Sequence, residues 1–119
     1  NRIKDMIQID QNIENDVYKL EVGGEVDASS SIYLDNAITE AIESNHKKIL
    51  VDCSQLVYIS SAGLGVFMSY IEELNNKEIA MVIYGLNDKV RNVFQILGLD
   101  QLLKIVSSEE EAKMVVDAV

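Results

Sequence analysis

The sequence has 119 residues, 48% of them hydrophobic and 25% charged, which is the balance of a globular domain and not of a disordered tract. Ten basic against twenty acidic residues give a net charge of -10. Such a surface repels phosphate backbones and anionic lipid heads, so direct nucleic-acid and membrane binding are not expected, and a protein partner or a cation is favoured. With one Cys and one His the chain can form neither an internal disulfide nor a Cys-rich zinc site. No apolar run approaches the ~20 residues of a membrane span, and no basic-then-apolar leader pattern is present, which together place the chain in a reducing cytoplasm.

The front of the chain reads as strands. Ile7 and Ile9 alternate with Gln8 and Asp10, and Tyr18, Leu20 and Val22 alternate with Lys19 and Glu21, with Glu14-Asn15-Asp16 as a hairpin turn between them. Gly23-Gly24 interrupts the pattern, and Glu25-Val26 extends or bulges the second strand. From Ser29 the period becomes helical, with Leu34, Ala37, Ile38, Ala41 and Ile42 on one face and three serines available to cap the start. Ile49-Leu50-Val51 is a short buried strand. Leu64, Phe67, Met68 and Ile71 form a second helical stripe, Ile79 to Tyr84 another strand, and Val90, Val93, Phe94 and Leu97 a third stripe closed by Gly98. Leu102 to Val106 reads as a last strand. Ser108 with Glu111 forms a capping box ahead of a fourth stripe of Ala112, Val115, Val116 and Val119.

Strands alternating with helices predict an α/β fold, with a mixed, mostly parallel sheet of about four to five strands and about four helices, in one domain over residues 1–119. No phosphate-binding Gly-Lys-Ser/Thr loop occurs, and Gly63-Leu64-Gly65 lacks the third glycine of a dinucleotide fingerprint. His46, among Asn45, Lys47 and Lys48, reads as a solvated loop residue. Cys53 reads as a small, partly buried thiol, since nothing basic beside it in sequence lowers its pKa. Glu109-Glu110-Glu111 complements the dipole of the last helix. A phospho-aspartyl receiver with Asp52 as acceptor would want further carboxylates and a Lys after a late strand, whereas Lys104 lies inside an apolar run.

The segment from Val51 to Gly65 stands apart. A strand runs into a loop that delivers Ser60 and Ser61 to the start of a helix, although N-capping needs just one hydroxyl. A hydroxyl at a helix N-terminus is a suitable phosphoacceptor, because unpaired N–H groups and the dipole favour a phosphate there. The stretch from Asp52 to Leu64, with Ser-Ala-Gly-Leu at 61–64, resembles the signature of STAS domains, in particular the bacterial anti-sigma factor antagonists. Gly24-Glu25-Val26-Asp27 is similar to that family's Gly-Glu-x-Asp before the first helix, and the order of elements matches over nearly the whole chain.

The resemblance implies a STAS-like two-layer arrangement and a role without catalytic groups or cofactors. It implies an antagonist that binds an ATP-dependent anti-sigma factor serine kinase while unphosphorylated, frees a sigma factor, is switched off by phosphorylation at Ser61, and is reset by a serine phosphatase. Asp27, Ser60, Ser61, Ala62, Gly63 and Leu64 are the partner-binding residues it implies. Classical members carry Asp immediately before the acceptor, where this chain has Ser60. Ser60 at that position is expected to cap the helix and leave the Ser61 hydroxyl uncommitted. The alternative the resemblance leaves open is a STAS ligand-sensing or scaffold module in another signalling or transport assembly.

Overall fold

A computed structural model of the chain describes residues 7–118. The chain opens with a hairpin of β1 (Ile7–Glu14) and β2 (Val17–Val26), in continuous antiparallel register from Ile7 opposite Gly24 to Glu14 opposite Val17. Asn15 makes the turn in the left-handed region (φ 58°), a conformation Asn tolerates better than most residues. The rest of the sheet is parallel. β2 pairs with β3 (Lys48–Asp52) along its first half and with β4 (Leu56–Ile59) along its second, the register shifting between Gly24 and Glu25. β5 (Ala80–Tyr84) and β6 (Lys104–Val106) complete the order β1-β2-β3-β5-β6, with β4 beside β2 off that path.

The helices are α1 (Ser31–Glu43), α2 (Ser61–Ser69), α3 (Ile71–Asn76), α4 (Asp88–Ile96) and α5 (Glu109–Asp117). One sheet face, carrying Tyr18, Leu20, Val22, Ile49, Val51 and Ile83, meets buried residues of α1 to α4 in the main core. Each fully buried Leu, Ile or Phe there contributes about 1.5–3 kcal/mol by leaving water. Phe67 of α2 and Phe94 of α4 pack with ring centroids 6.0 Å apart. The other face carries Leu50, Val82 and Tyr84, which pack on Ala112 and Val116 of α5. The two-layer description thus holds for the first face, and α5 adds a single-helix layer over part of the second.

Four differences from the sequence reading have identifiable physical causes. The sheet has six strands, because Leu56–Ile59 forms β4 with only Leu56 and Ile59 buried, too short for alternation to declare it. The stripe from Leu64 to Ile71 is broken at Tyr70, whose hydroxyl is 2.5 Å from Thr39 Oγ1 and donates to Asp35 Oδ1 at 2.6 Å, tying the α2–α3 junction to α1; Met68 faces solvent. Before β6 the chain makes a 3₁₀ turn, Leu99–Gln101, that buries Leu99 and exposes Leu102, so the strand begins at Lys104. His46 is half-buried rather than solvated, edge-on to Tyr18 at 5.7 Å and with Nδ1 2.8 Å from Ser44 Oγ. Gly98 follows α4 in the left-handed conformation expected of a C-terminal cap (φ 73°), and Val119 of the fourth stripe lies outside the described residues.

Candidate functional site: two serines at a helix start

β2 and β4 run side by side and end together, with Val26 paired to Ile59 and Ser60 N donating to Val26 O at 2.7 Å. Asp27 and Ser60 therefore leave the sheet at the same end, one opening the turn into α1 and the other opening α2. Ser60 is the N-cap of α2 in extended conformation, and its Oγ accepts from Gly63 N at 3.2 Å. This is the capping role the sequence reading gave it. Ser61 is the first residue of α2; it is exposed, and its hydroxyl makes no hydrogen bond among the described residues. Ala62 is also exposed, whereas Gly63 and Leu64 are buried.

Gly63 sits where the helix start presses on the sheet. A Cβ placed there would lie 2.7 Å from Ile59 Cγ1 and 2.8 Å from Val26 Cγ1, inside van der Waals contact with two core side chains. The glycine fixes how closely α2 approaches the ends of β2 and β4, and so where Ser61 stands relative to Asp27.

No side chain caps the first turn of α1; Asp27 instead orders the turn that leads into it. Ser30 occupies the N-cap position without a side-chain cap bond. Asp27 Oδ1 instead accepts from Ser29 N at 3.0 Å, Ser29 Oγ at 2.8 Å and Ser30 N at 2.9 Å, and Ser30 Oγ accepts from Asp27 N at 2.9 Å. The Ser29 hydroxyl, followed by the Ser30 donors, stabilises the ionised carboxylate and lowers its pKa. An Asp three residues before a serine at a strand-to-helix turn is the pattern that announces this, and reading the three serines as caps missed it. Structurally, Asp27 is a rigid anionic post, not a free side chain.

The remaining candidates have structural roles. Cys53 is fully buried, and burial, with the charge of Asp52, pushes its thiol up to about 12. Ser108 caps α5 by accepting from Glu111 N at 3.2 Å, and Glu109 reaches Lys19 at 3.2 Å. Among the described residues no group of three His, Cys, Asp or Glu side chains is placed to hold a metal ion, and no helix is long and apolar enough to cross a membrane.

Comparison with known proteins bears on the fold and the family. The anti-sigma-B factor antagonist of Listeria monocytogenes is 32% identical over 94 residues, covering 76% of this chain and 79% of its own. The crystal structure of an anti-sigma factor antagonist from Mycobacterium paratuberculosis superposes with a TM-score of 0.87 at 22% identity, over 95% of this chain and 96% of its own. The Bacillus cell fate determinant SpoIIAA in its phosphorylated form superposes with a TM-score of 0.67 at 22% identity, over 92% and 98%. Residues 8–112 match the family model of the STAS domain, and the chain belongs to the STAS domain family.

Proposed function

We propose that the protein is an anti-sigma factor antagonist: it binds an ATP-dependent anti-sigma serine kinase while Ser61 is unphosphorylated, and releases it once Ser61 carries phosphate. The observation that carries this reading is the division of labour between the serines. Ser60 Oγ is committed to Gly63 N, while the Ser61 hydroxyl is exposed and uncommitted. A kinase needs an acceptor oxygen it can reach in line with the γ-phosphate, which Ser61 offers. The name of the Listeria relative and the existence of SpoIIAA in a phosphorylated form support it.

The switch is electrostatic and acts at the surface. Ser61, Ala62 and the Asp27 turn present small side chains over which a partner backbone can approach closely. Phosphate adds about 1.5 to 2 negative charges to a chain already at -10. Two charges facing one partner carboxylate at ~6 Å cost about 5 kcal/mol at an effective dielectric near 20, and ~3 kcal/mol after screening still removes a hundredfold of affinity. The helix N-terminus accommodates the phosphate, so nothing unfolds. The protein contributes no catalytic group, and a serine phosphatase resets it. Calorimetry of the unphosphorylated and Ser61-phosphorylated proteins against the partner kinase with ADP tests the switch. A loss of at least about a hundredfold is expected; equal affinity of the two forms contradicts it.

A further inference from the structure

Among the described residues ten large hydrophobic side chains are exposed, and three of them, Ile96 (82%), Leu97 (54%) and Leu102 (58%), fall within seven residues where α4 ends. Gly98 N donates to Gln95 O at 3.0 Å, and Leu102 N and Leu103 N both donate to Leu99 O, at 3.0 and 2.8 Å. The stretch is therefore a tight turn around the buried Leu99, and its apolar side chains are held outward by an ordered backbone. Along α4 itself, Lys89, Val93, Ile96 and Leu97 recur at i, i+4, i+7 and i+8 and share one side of the helix, while Val90 and Phe94 face the core. Single exposed hydrophobic residues are ordinary, but a cluster continuous with a helix stripe marks an interaction surface.

The charge of this segment is a separate observation. The chain carries -10, yet between Lys89 and Ser107 three basic residues, Lys89, Arg91 and Lys104, stand against one acid, Asp100. Elsewhere the described cations are engaged. Lys19, Lys48, Lys77 and Lys113 make ion pairs, and Lys47 Nζ donates to the Lys77 carbonyl at 2.7 Å. Lys89, Arg91 and Lys104 make no ion pair among the described residues. Arg91 lines a cleft of about 240 Å³ between α4 and β6, with Gln95, Asp100, Ile105 and Ser107. A carboxylate entering that cleft meets a guanidinium fork in a recess.

We propose that this surface docks an amphipathic helix of another protein, apolar along one face and acidic on its flanks. The apolar face covers Val93, Ile96, Leu97 and Leu102, and the flanking carboxylates meet Lys89, Arg91 and Lys104. A helix is the matching shape, because a stripe of this spacing is the ridge along which helices pack. The rest of the surface repels an acidic partner, which fixes where it lands. A second copy offers no such helix: α5 exposes Met114 as its one large hydrophobic side chain, and α1 exposes Ile32 and Tyr33 only in its first turn. α4 runs back from the carboxyl end of β5, so Ile96 lies toward the opposite end of the sheet from Ser61, which follows the parallel strand β4. The docked helix leaves Ser61 open to its kinase, and the surface serves in either phosphorylation state.

The probe is a blocked peptide made of three copies of Leu-Glu-Glu-Leu-Leu-Glu-Glu, titrated into the whole chain at about 0.15 M salt while amide chemical shifts are followed. Shifts should move at Lys89, Val93, Ile96, Leu97, Leu102 and Lys104, and not at Ser61. The counterpart peptide with Lys in place of every Glu should bind these positions at least about tenfold more weakly. Ile96→Ser/Leu102→Ser changes two exposed side chains, should leave the urea midpoint in place, and should weaken the acidic peptide at least about tenfold. Lys89→Gln/Arg91→Gln/Lys104→Gln should weaken it as much, whereas Lys47→Gln/Lys77→Gln/Lys113→Gln removes the same charge elsewhere and should change affinity less than about twofold. Equal loss in the two triple variants would reduce the effect to net charge, and equal binding of both peptides here would reduce it to unspecific adhesion. Shifts of these amides with protein concentration alone would show that a second copy covers the surface. Each of those results overturns the proposal, as does no response to the acidic peptide.

Discussion

Gly63 and Gly65 lie two residues apart in α2, and the same substitution should act on them with opposite sign. Gly63→Ala places a methyl group 2.7 Å from Ile59 Cγ1 and 2.8 Å from Val26 Cγ1. Those neighbours are 6% and 0% exposed, so neither can swing into solvent, and the contact is relieved only by lifting the start of α2 off the sheet or by moving core rotamers. Overpacking of this kind costs about 1–3 kcal/mol. Two contacts this short put the cost in the upper part of that range, about 2–3 kcal/mol; replacing Gly by Ala in a helix returns about 1 kcal/mol, so the net expected for Gly63→Ala is a destabilisation of roughly 1–2 kcal/mol. At Gly65 a Cβ would meet nothing within 4 Å, and Gly65→Ala should stabilise by up to about 1 kcal/mol. Urea unfolding at pH 7, with unchanged m-values confirming the same folded and unfolded states, reads both differences as shifts of midpoint. If the two variants shift the midpoint in the same direction, or if Gly63→Ala is as stable as wild type, close approach of α2 is not what this glycine provides.

Three further outcomes follow from the site. Ser60→Ala removes the acceptor of Gly63 N and should cost about 1 kcal/mol in urea unfolding while leaving the protein a kinase substrate; full loss of phosphorylation would show that Ser60 is the acceptor. Asp27 has a folded-state pKa below its unfolded value, so its stabilisation is complete above about pH 4 and is lost as pH falls through the lowered value. Asp27→Asn keeps a neutral Oδ1 acceptor and should flatten the decline of stability between pH 5 and pH 3; superimposable acid limbs would refute this. Cys53, buried with its thiol pushed up to about 12, should react with a thiol reagent at pH 8 only at the rate of unfolding, which a dependence on urea concentration checks, and fast labelling in native buffer would contradict the burial.

The alternation at Ile7–Asp10 and Tyr18–Val22, and the apolar runs Ile49–Val51 and Ala80–Tyr84, were legible because strands buried on one or both faces carry their period in side-chain polarity. β4 was not, since a four-residue strand with Val57 and Tyr58 exposed offers no period; what makes it a strand is the second half of β2, long enough to hold two partners in succession. The break at Tyr70 depends on Thr39 and Asp35, more than thirty residues away, and local pattern cannot contain such a contact. At the site, the Ser60 cap was readable from its place before an apolar stripe, whereas the role of Asp27 in ordering the turn before α1 required weighing an Asp against three adjacent serines.

Whether Ser61 carries the switch is decided by where phosphate is found on the chain. The protein is recovered from its native cells, its intact mass is measured for an 80 Da adduct, and fragment ions that divide residue 60 from residue 61 locate the group. One phosphate on Ser61, present in a fraction of the molecules that varies with growth condition, is expected. Phosphate on Ser60, or an unmodified chain both from cells and after incubation with the cognate kinase and Mg-ATP, would contradict the account.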